Sequence, residues 1–164
     1  MPEFALRKLK AQTINEENFH PFGQVIYPSV DGKPFGDRDA QLDLQGGIPR
    51  FYIMHLSGQG RKFHRITRHI QCTQCLGALD GKEWAIAVAP PSPMGLSQVD
   101  PETINAFRIP GNCFIKLNRG TWHAGPYFEH EFVDFYNLEL SDTNINDHFT
   151  CDLLDTYGIE FEII

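Results

Sequence analysis

No apolar run in these 164 residues approaches the roughly 20 needed to span a bilayer. The first ten residues lack the apolar core of about 7–15 residues that a secretory leader carries. The expectation is a cytoplasmic protein with no membrane partner. Internal repeats, low-complexity tracts and blocks of one charge are also missing, so neither a solenoid nor a disordered tail is expected. Basic residues are in the minority, 14 Lys and Arg against 21 Asp and Glu, for a net charge of −7. That excludes nucleic acid as the main partner. It leaves room for a small anionic metabolite, because a local cluster of cations can reverse the field inside a pocket. Cysteines number only four. Cys72 and Cys75 form one C-x-x-C, but a zinc site wants a second pair and none exists. We read all four, with Cys113 and Cys151, as buried thiols.

What is present is a chain long enough for one domain over residues 1–164, with 41% hydrophobic residues to fill its core. Thr13-Ile14-Asn15-Glu16 has the pattern of a capping box and predicts a short helix, after which Phe22–Ile26 reads as a strand. Residues 28–49 are rich in Gly, Pro and Asp and predict a loop, with room for one short strand. Strands are then expected at Phe51–Met54, around Arg65–His69, and at Gln74–Leu79 and Glu83–Ala89. The last two flank Asp80-Gly81, a dipeptide suited to a tight hairpin. Asp100-Pro101-Glu102 supplies an N-cap, a proline at the first helical position and an acidic first turn, so a helix to about Phe107 is expected. Further strands are predicted from Gly111 to Asn118, over Phe132–Leu140, and over Ile159–Ile163, where period-two alternation marks a half-buried strand. The sum is a mainly β, antiparallel sandwich or barrel, a jelly roll, with two or three short helices.

The chemistry concentrates in Asn118-Arg119-Gly120-Thr121-Trp122-His123, where an imidazole follows a turn that glycine permits. A histidine there can work as a base near neutral pH or ligate a metal. His69, upstream, is its expected companion. Arg50, Lys116 and Arg119 are the candidate anion holders; an Arg clamps a carboxylate with two parallel hydrogen bonds. Lys116 and Asn118 share a strand face by alternation. Asp134 and Glu139 are read as acids or as orienters of a histidine, and Glu83 as exposed. His64 is placed in the rim or the framework. His20, His55, His130 and His148 have no local constellation and are read as surface or core.

These spacings resemble the two histidine motifs of the cupins. Asn118-x-Gly120-x-x-His123 is similar to the second motif, with Asn for Pro. His69 followed by Gln74 is similar to the end of the first, with Gln for Glu, and Thr67 falls where an earlier histidine would stand. Two His and a neutral Gln bind divalent ions weakly. No cofactor is therefore expected to be required, and any metal would be a weakly bound divalent ion at His69 and His123. More closely, the chain resembles the ureidoglycolate lyase family of cupins from about Thr13 to Asp152. The resemblance runs through Glu17-Asn18-Phe19, Phe22-Gly23-Gln24-Val25-Ile26, Arg50-Phe51-Tyr52, His69 with Thr73-Gln74, Arg119-Gly120-Thr121-Trp122-His123, Asp134-Phe135 and Cys151-Asp152. Two places depart from the family pattern. Ala124-Gly125-Pro126 follows the motif histidine in place of a His and Pro, and Glu139-Leu140 stands for an Asp-Arg pair.

The resemblance implies a cupin-like β-barrel, a homodimer, and cleavage of ureidoglycolate to glyoxylate and urea within allantoin degradation, a branch of purine catabolism. His69 and His123 would be catalytic. Arg50, Gln74, Lys116, Arg119 and Trp122 would bind substrate. The competing expectations are a non-catalytic cupin that binds a small metabolite, and a metal-dependent cupin isomerase or dioxygenase.

Overall fold

The computed structural model describes residues 3–93 and 95–164. Met1 and Pro2, where the reading of the N-terminus and the span 1–164 begin, lie outside the described residues, as does Met94. In chain order come β1 (Ala5–Leu9), β2 (Gln12–Thr13), helix α1 (Glu16–Phe19) and β3 (Gly23–Ile26). After a long loop follow β4 (Pro49–Ser57), β5 (Lys62–Phe63), β6 (Arg65–Arg68), β7 (Gln74–Ala78) and β8 (Trp84–Ala89). A 3-10 turn, Pro101–Thr103, precedes β9 (Asn105–Ile109), β10 (Phe114–Leu117), β11 (Trp122–Tyr127) and β12 (Phe132–Leu140). Then come α2 (Thr143–Asn146), β13 (Phe149–Asp152), α3 (Leu153–Tyr157) and β14 (Ile159–Ile163).

The strands form three sheets. One has five strands in the order β3-β10-β7-β12-β4, one has six in the order β13-β6-β11-β8-β9-β2, and a small third sheet runs β1-β14-β5. The protein is mainly β, as expected. Of the expected sandwich or barrel, the sheets are consistent with the sandwich: among the described residues no closed barrel forms, and the two large sheets remain separate, each with its own edge strands. The pairing is antiparallel except for β1 with β14 and β2 with β9.

Alternation along the strands explains the layering. On β8, Trp84, Ile86 and Val88 enter a core between the two large sheets, with Val25, Leu76, Ile115, Leu117, Phe107 and Phe135. Ala87 and Ala89 of the same strand point the other way, into a second core with Ile66, Trp122, Leu153 and Phe161. The six-stranded sheet is thus covered on both faces, by the five-stranded sheet on one side and by the third sheet and α3 on the other. Each large side chain buried this way stabilises by about 1.5–3 kcal/mol.

Several local expectations shift. The cap of α1 is Asn15, not Thr13: the Asn15 side chain accepts from the Asn18 amide and the Asn18 side chain accepts from the Asn15 amide. Thr13 belongs to β2. The helix expected to reach Phe107 stops at Thr103. Asp100 does cap it, accepting from Glu102 N, but β8 needs an antiparallel partner, and residues 105–109 supply it as β9. Phe107 and Ile109 then fill the first core while Ala106 fills the second. Asp80 and Gly81 both take positive φ, 60° and 67°, as a tight turn requires. They do not close a hairpin, however. β7 and β8 lie in different sheets, so this turn is a corner between layers. Residues 28–48 form no strand.

Candidate active site

The inner faces of the large sheets change character toward one end. On β12 the inward series is Val133, Phe135, Asn137, Glu139; on β4 it is Leu56, Met54, Tyr52; on β7 it is Leu76 and Gln74. On the facing sheet β11 turns Trp122 and Ala124 into the second core, so His123 points inward, directly across from Thr67 on β6 and Val88 on β8. Where apolar gives way to polar lies a cavity of about 450 Å³. It is lined by Tyr52, His69, Gln74, His123, Asn137, Glu139 and His148, with Lys62, His64, Arg65 and Thr67 among its other residues.

The two motif histidines are brought together, with ring centroids 5.1 Å apart. Gly120 sets this geometry. Its φ of +84° suits glycine, and its amide donates to the His69 carbonyl at 2.7 Å, so the turn before His123 is fastened to the strand end that carries His69. His69 is buried, and its Nδ1 lies 2.5 Å from the carbonyl oxygen of Asp147. A carbonyl only accepts, so Nδ1 carries the proton and Nε2 holds a lone pair. The Asp147 carboxylate in turn accepts from the amides of Ile70 and Gln71, both at 2.8 Å, which fixes the loop after His69. Burial pushes the His69 pKa below the ordinary value, against the opposing pull of the Asp147 carbonyl and the Glu139 and Asp147 charges.

His123 is held neutral more firmly. Burial, then the neighbouring His69, pushes its pKa down to about 3. Its Nδ1 is shut off from solvent with no hydrogen-bond partner among the described residues, leaving Nε2 as the ring nitrogen available to a ligand. Because the fold disfavours both imidazolium forms, the unfolded chain takes up these protons first, near its value of about 6.5. The stability that both groups contribute is complete above that value and is lost as pH falls from there toward about 3. Urea midpoints should therefore decline between about pH 7 and about pH 4, and less steeply in His123→Phe. Identical slopes in the two proteins would remove His123 from this linkage.

A third histidine joins them that local sequence did not single out: His148, with its ring 5.6 Å from that of His69. Strand register delivers it. Phe149 of β13 pairs with Arg68 of β6, which sets 148 beside 69. Four further side chains that line the cavity form a hydrogen-bonded row. Gln74 Nε2 donates to Asn137 Oδ1 at 2.9 Å, Asn137 Nδ2 to the Tyr52 hydroxyl at 3.2 Å, and that hydroxyl to Glu139 Oε1 at 3.1 Å. Asn144 Nδ2 also donates to Glu139 Oε1, at 3.2 Å.

The remaining sequence candidates stand elsewhere. Trp122 is fully buried in the second core, its Nε1 on Ser92 Oγ at 2.8 Å and the Arg68 guanidinium 4.7 Å from its ring centre. Lys116 lies on the outer face of the five-stranded sheet, opposite Gln24 and Cys75, with Nζ on Asn118 Oδ1 at 2.8 Å. Arg119 ties loops together, through Ile70 O at 2.9 Å and Asp43 Oδ2 at 3.0 Å. Arg50 stacks on Tyr52, 3.7 Å from the ring centre, beside the cavity without lining it. The cations that line the cavity are Lys62 and Arg65, whose partners are Glu162 at 3.8 Å and Asp152 at 3.3 Å. Alternation counted back from Thr67 places Arg65 on the inner face, and that was the available signal. Asp134 orients a histidine, but the exposed His55, at 2.6 Å.

Among the described residues no group of three or more His, Cys, Asp or Glu is arranged to hold a metal ion. The Cys72 and Cys75 thiols are free and buried, as are Cys113 and Cys151. No helix among the described residues is long and apolar enough to cross a membrane.

Comparison with curated proteins yields no match. The family model described as ureidoglycolate lyase matches residues 50–154. That span runs from the second residue of β4 through β13 and holds every lining residue named above. The stretch shared with the family is therefore the one that builds the cavity, and the chain belongs to the ureidoglycolate lyase family.

Proposed function

We propose that this protein is a carbon–nitrogen lyase that cleaves ureidoglycolate to glyoxylate and urea. Family membership supports the reaction. Within the site, the observation that carries the reading is His69, with Nδ1–H committed to Asp147 and a lone pair on Nε2 beside the neutral His123. Ureidoglycolate has one carbon bearing a hydroxyl, a carboxylate and a urea nitrogen. His69 Nε2 takes the hydroxyl proton, the C–O bond becomes the aldehyde of glyoxylate, and the C–N bond breaks. The same imidazolium returns its proton to the departing nitrogen, giving neutral urea. His123, neutral, supplies a hydrogen bond that orients the substrate. Arg65 and Lys62 at the cavity wall suit the carboxylate better than Arg50, Lys116 or Arg119, which do not line it. No redox step occurs and no cofactor enters the balance.

The wider reading is a cupin-like jelly roll in a single domain over residues 1–164, supported by the continuous core between the two large sheets. A homodimer is supported by apolar side chains on the outer face of the five-stranded sheet, where Phe51 is 71% and Ile53 61% exposed. Four unpaired thiols suit a reducing cytoplasm, and a small anionic metabolite of allantoin degradation is the ligand. Metal-stripped protein mixed with ureidoglycolate should release glyoxylate and urea in equal amounts. No release, with or without added divalent metal, would overturn the lyase reading. Release that vanishes on chelation and returns with one metal would overturn its metal independence.

A further inference from the structure

We propose that the row Gln74–Asn137–Tyr52–Glu139 forms a carbamoyl-recognition subsite, in which Glu139 sets the direction of every hydrogen bond so that Gln74 presents an acceptor to a ligand's terminal –NH2. The proposal deepens the lyase reading and rests on it for the identity of the ligand.

The argument begins at one end of the row. The Glu139 carboxylate is 1% exposed and can only accept. The Tyr52 hydroxyl therefore gives its one proton to Glu139 Oε1. Its oxygen is left to accept, and it does so from Asn137 Nδ2. With its amide nitrogen so used, Asn137 turns its Oδ1 toward Gln74 and accepts from Gln74 Nε2. Gln74 Oε1 is then turned away from Asn137 and is the one acceptor its side chain has to offer, next to the second hydrogen of Nε2. Neither amide orientation is free to reverse, because reversal would set the Tyr52 hydroxyl as donor to Asn137 and strip Glu139 of that bond.

Gln74 Oε1 has no partner among the described residues, in a residue only 8% exposed that lines the cavity. A buried acceptor left unpaired costs free energy until a donor arrives. A terminal carbamoyl group brings two N–H donors. A carboxylate or an aldehyde brings none, so this end of the cavity rejects the acid end of a substrate and the glyoxylate product. Lys62 and Arg65 at the wall suit the acid end. The two ends of a ureido acid are thus told apart by opposite hydrogen-bonding sense.

Two inert compounds test this. N-carbamoylglycine is ureidoglycolate without the hydroxyl, so it binds without being cleaved. N-acetylglycine has a methyl in place of the terminal –NH2. Titration calorimetry on the intact protein should find N-carbamoylglycine bound at least about tenfold more tightly. Gln74→Met, which keeps the length and loses the acceptor, should bring the two affinities together. Glu139→Gln should do the same with Gln74 untouched, because a Gln at 139 can also donate and the row loses its direction. A role for Glu139 in framework stability alone would leave the ratio unchanged in that variant. Equal affinities in the natural protein, or binding of neither compound, would overturn the subsite, and that comparison decides even where a variant fails to fold. A carbamoyl preference without glyoxylate release would sink the lyase reading and leave the subsite standing.

Discussion

Replacing His69 with Gln is expected to lower kcat for glyoxylate release by about 10²–10⁴-fold, the range for loss of a general base or acid, with KM nearly unchanged. The substitution keeps a polar side chain of similar reach but removes a ring nitrogen whose tautomer is fixed by the Asp147 carbonyl. The pH profile gives a second reading. The base must be neutral, so kcat/KM should rise with pH through the His69 value, which burial places below the ordinary histidine value, and level off above it. In His69→Gln that acid limb should vanish along with the rate. A variant with full activity and an intact acid limb would pass the role of base to another group. His123→Ala should also lose most activity, but through a raised KM as well as a lowered kcat, because a neutral imidazole held by burial orients the substrate more than it exchanges protons.

The second large effect concerns stability, and it falls on a residue that the sequence alone assigns to the substrate. Trp122→Ala should destabilise the fold by about 3–5 kcal/mol, the range for truncating a buried Phe or Trp. Trp122 is 0% exposed, packs in the second core with Ile66 and Leu153, and gives its N–H to Ser92. Trp122→Phe should cost less and should leave kcat/KM of the folded protein unchanged, since the ring points away from the cavity. A Trp122→Phe enzyme with normal stability and a raised KM would return this residue to the binding site. Urea denaturation and steady-state kinetics on the same preparations decide the matter.

Both predictions show where sequence reasoning carries and where it stops. Strands whose burial alternates with period two were legible nearly to the residue: β12 over Phe132–Leu140 and β14 over Ile159–Ile163. The histidine pair was legible because each member sits on a local motif, Gly120-x-x-His123 and His69 with Gln74. Alternation also put Lys116 and Asn118 on one face of their strand. It could not say which side would hold the cavity, and the outer face took Lys116. Asn137 has no motif, and Tyr52 stands only in the resemblance stretch Arg50-Phe51-Tyr52; both meet Gln74 and Glu139 through the register of β4, β12 and β7, which is not written in any local window. The helix expected past Thr103 failed for a related reason: a good cap is local, but the demand of β8 for a neighbour is not, and the pairing won.

The parallel pairing of β1 with β14 bears on how fast the protein forms. Ala5 lies against Ile159 and Leu9 against Ile163, so the small sheet must close a loop that contains all the strands from β2 to β13. Contacts so distant along the chain return nothing until nearly all the intervening chain is ordered, and folding slows as their share rises. The two large sheets can meet without that cover, and β1 with β14 would dock as a late event. Until then the alanine face of β8 and the indole of Trp122 stay open to water and to other unfinished chains, which makes the window before docking the period in which this protein is most exposed to aggregation.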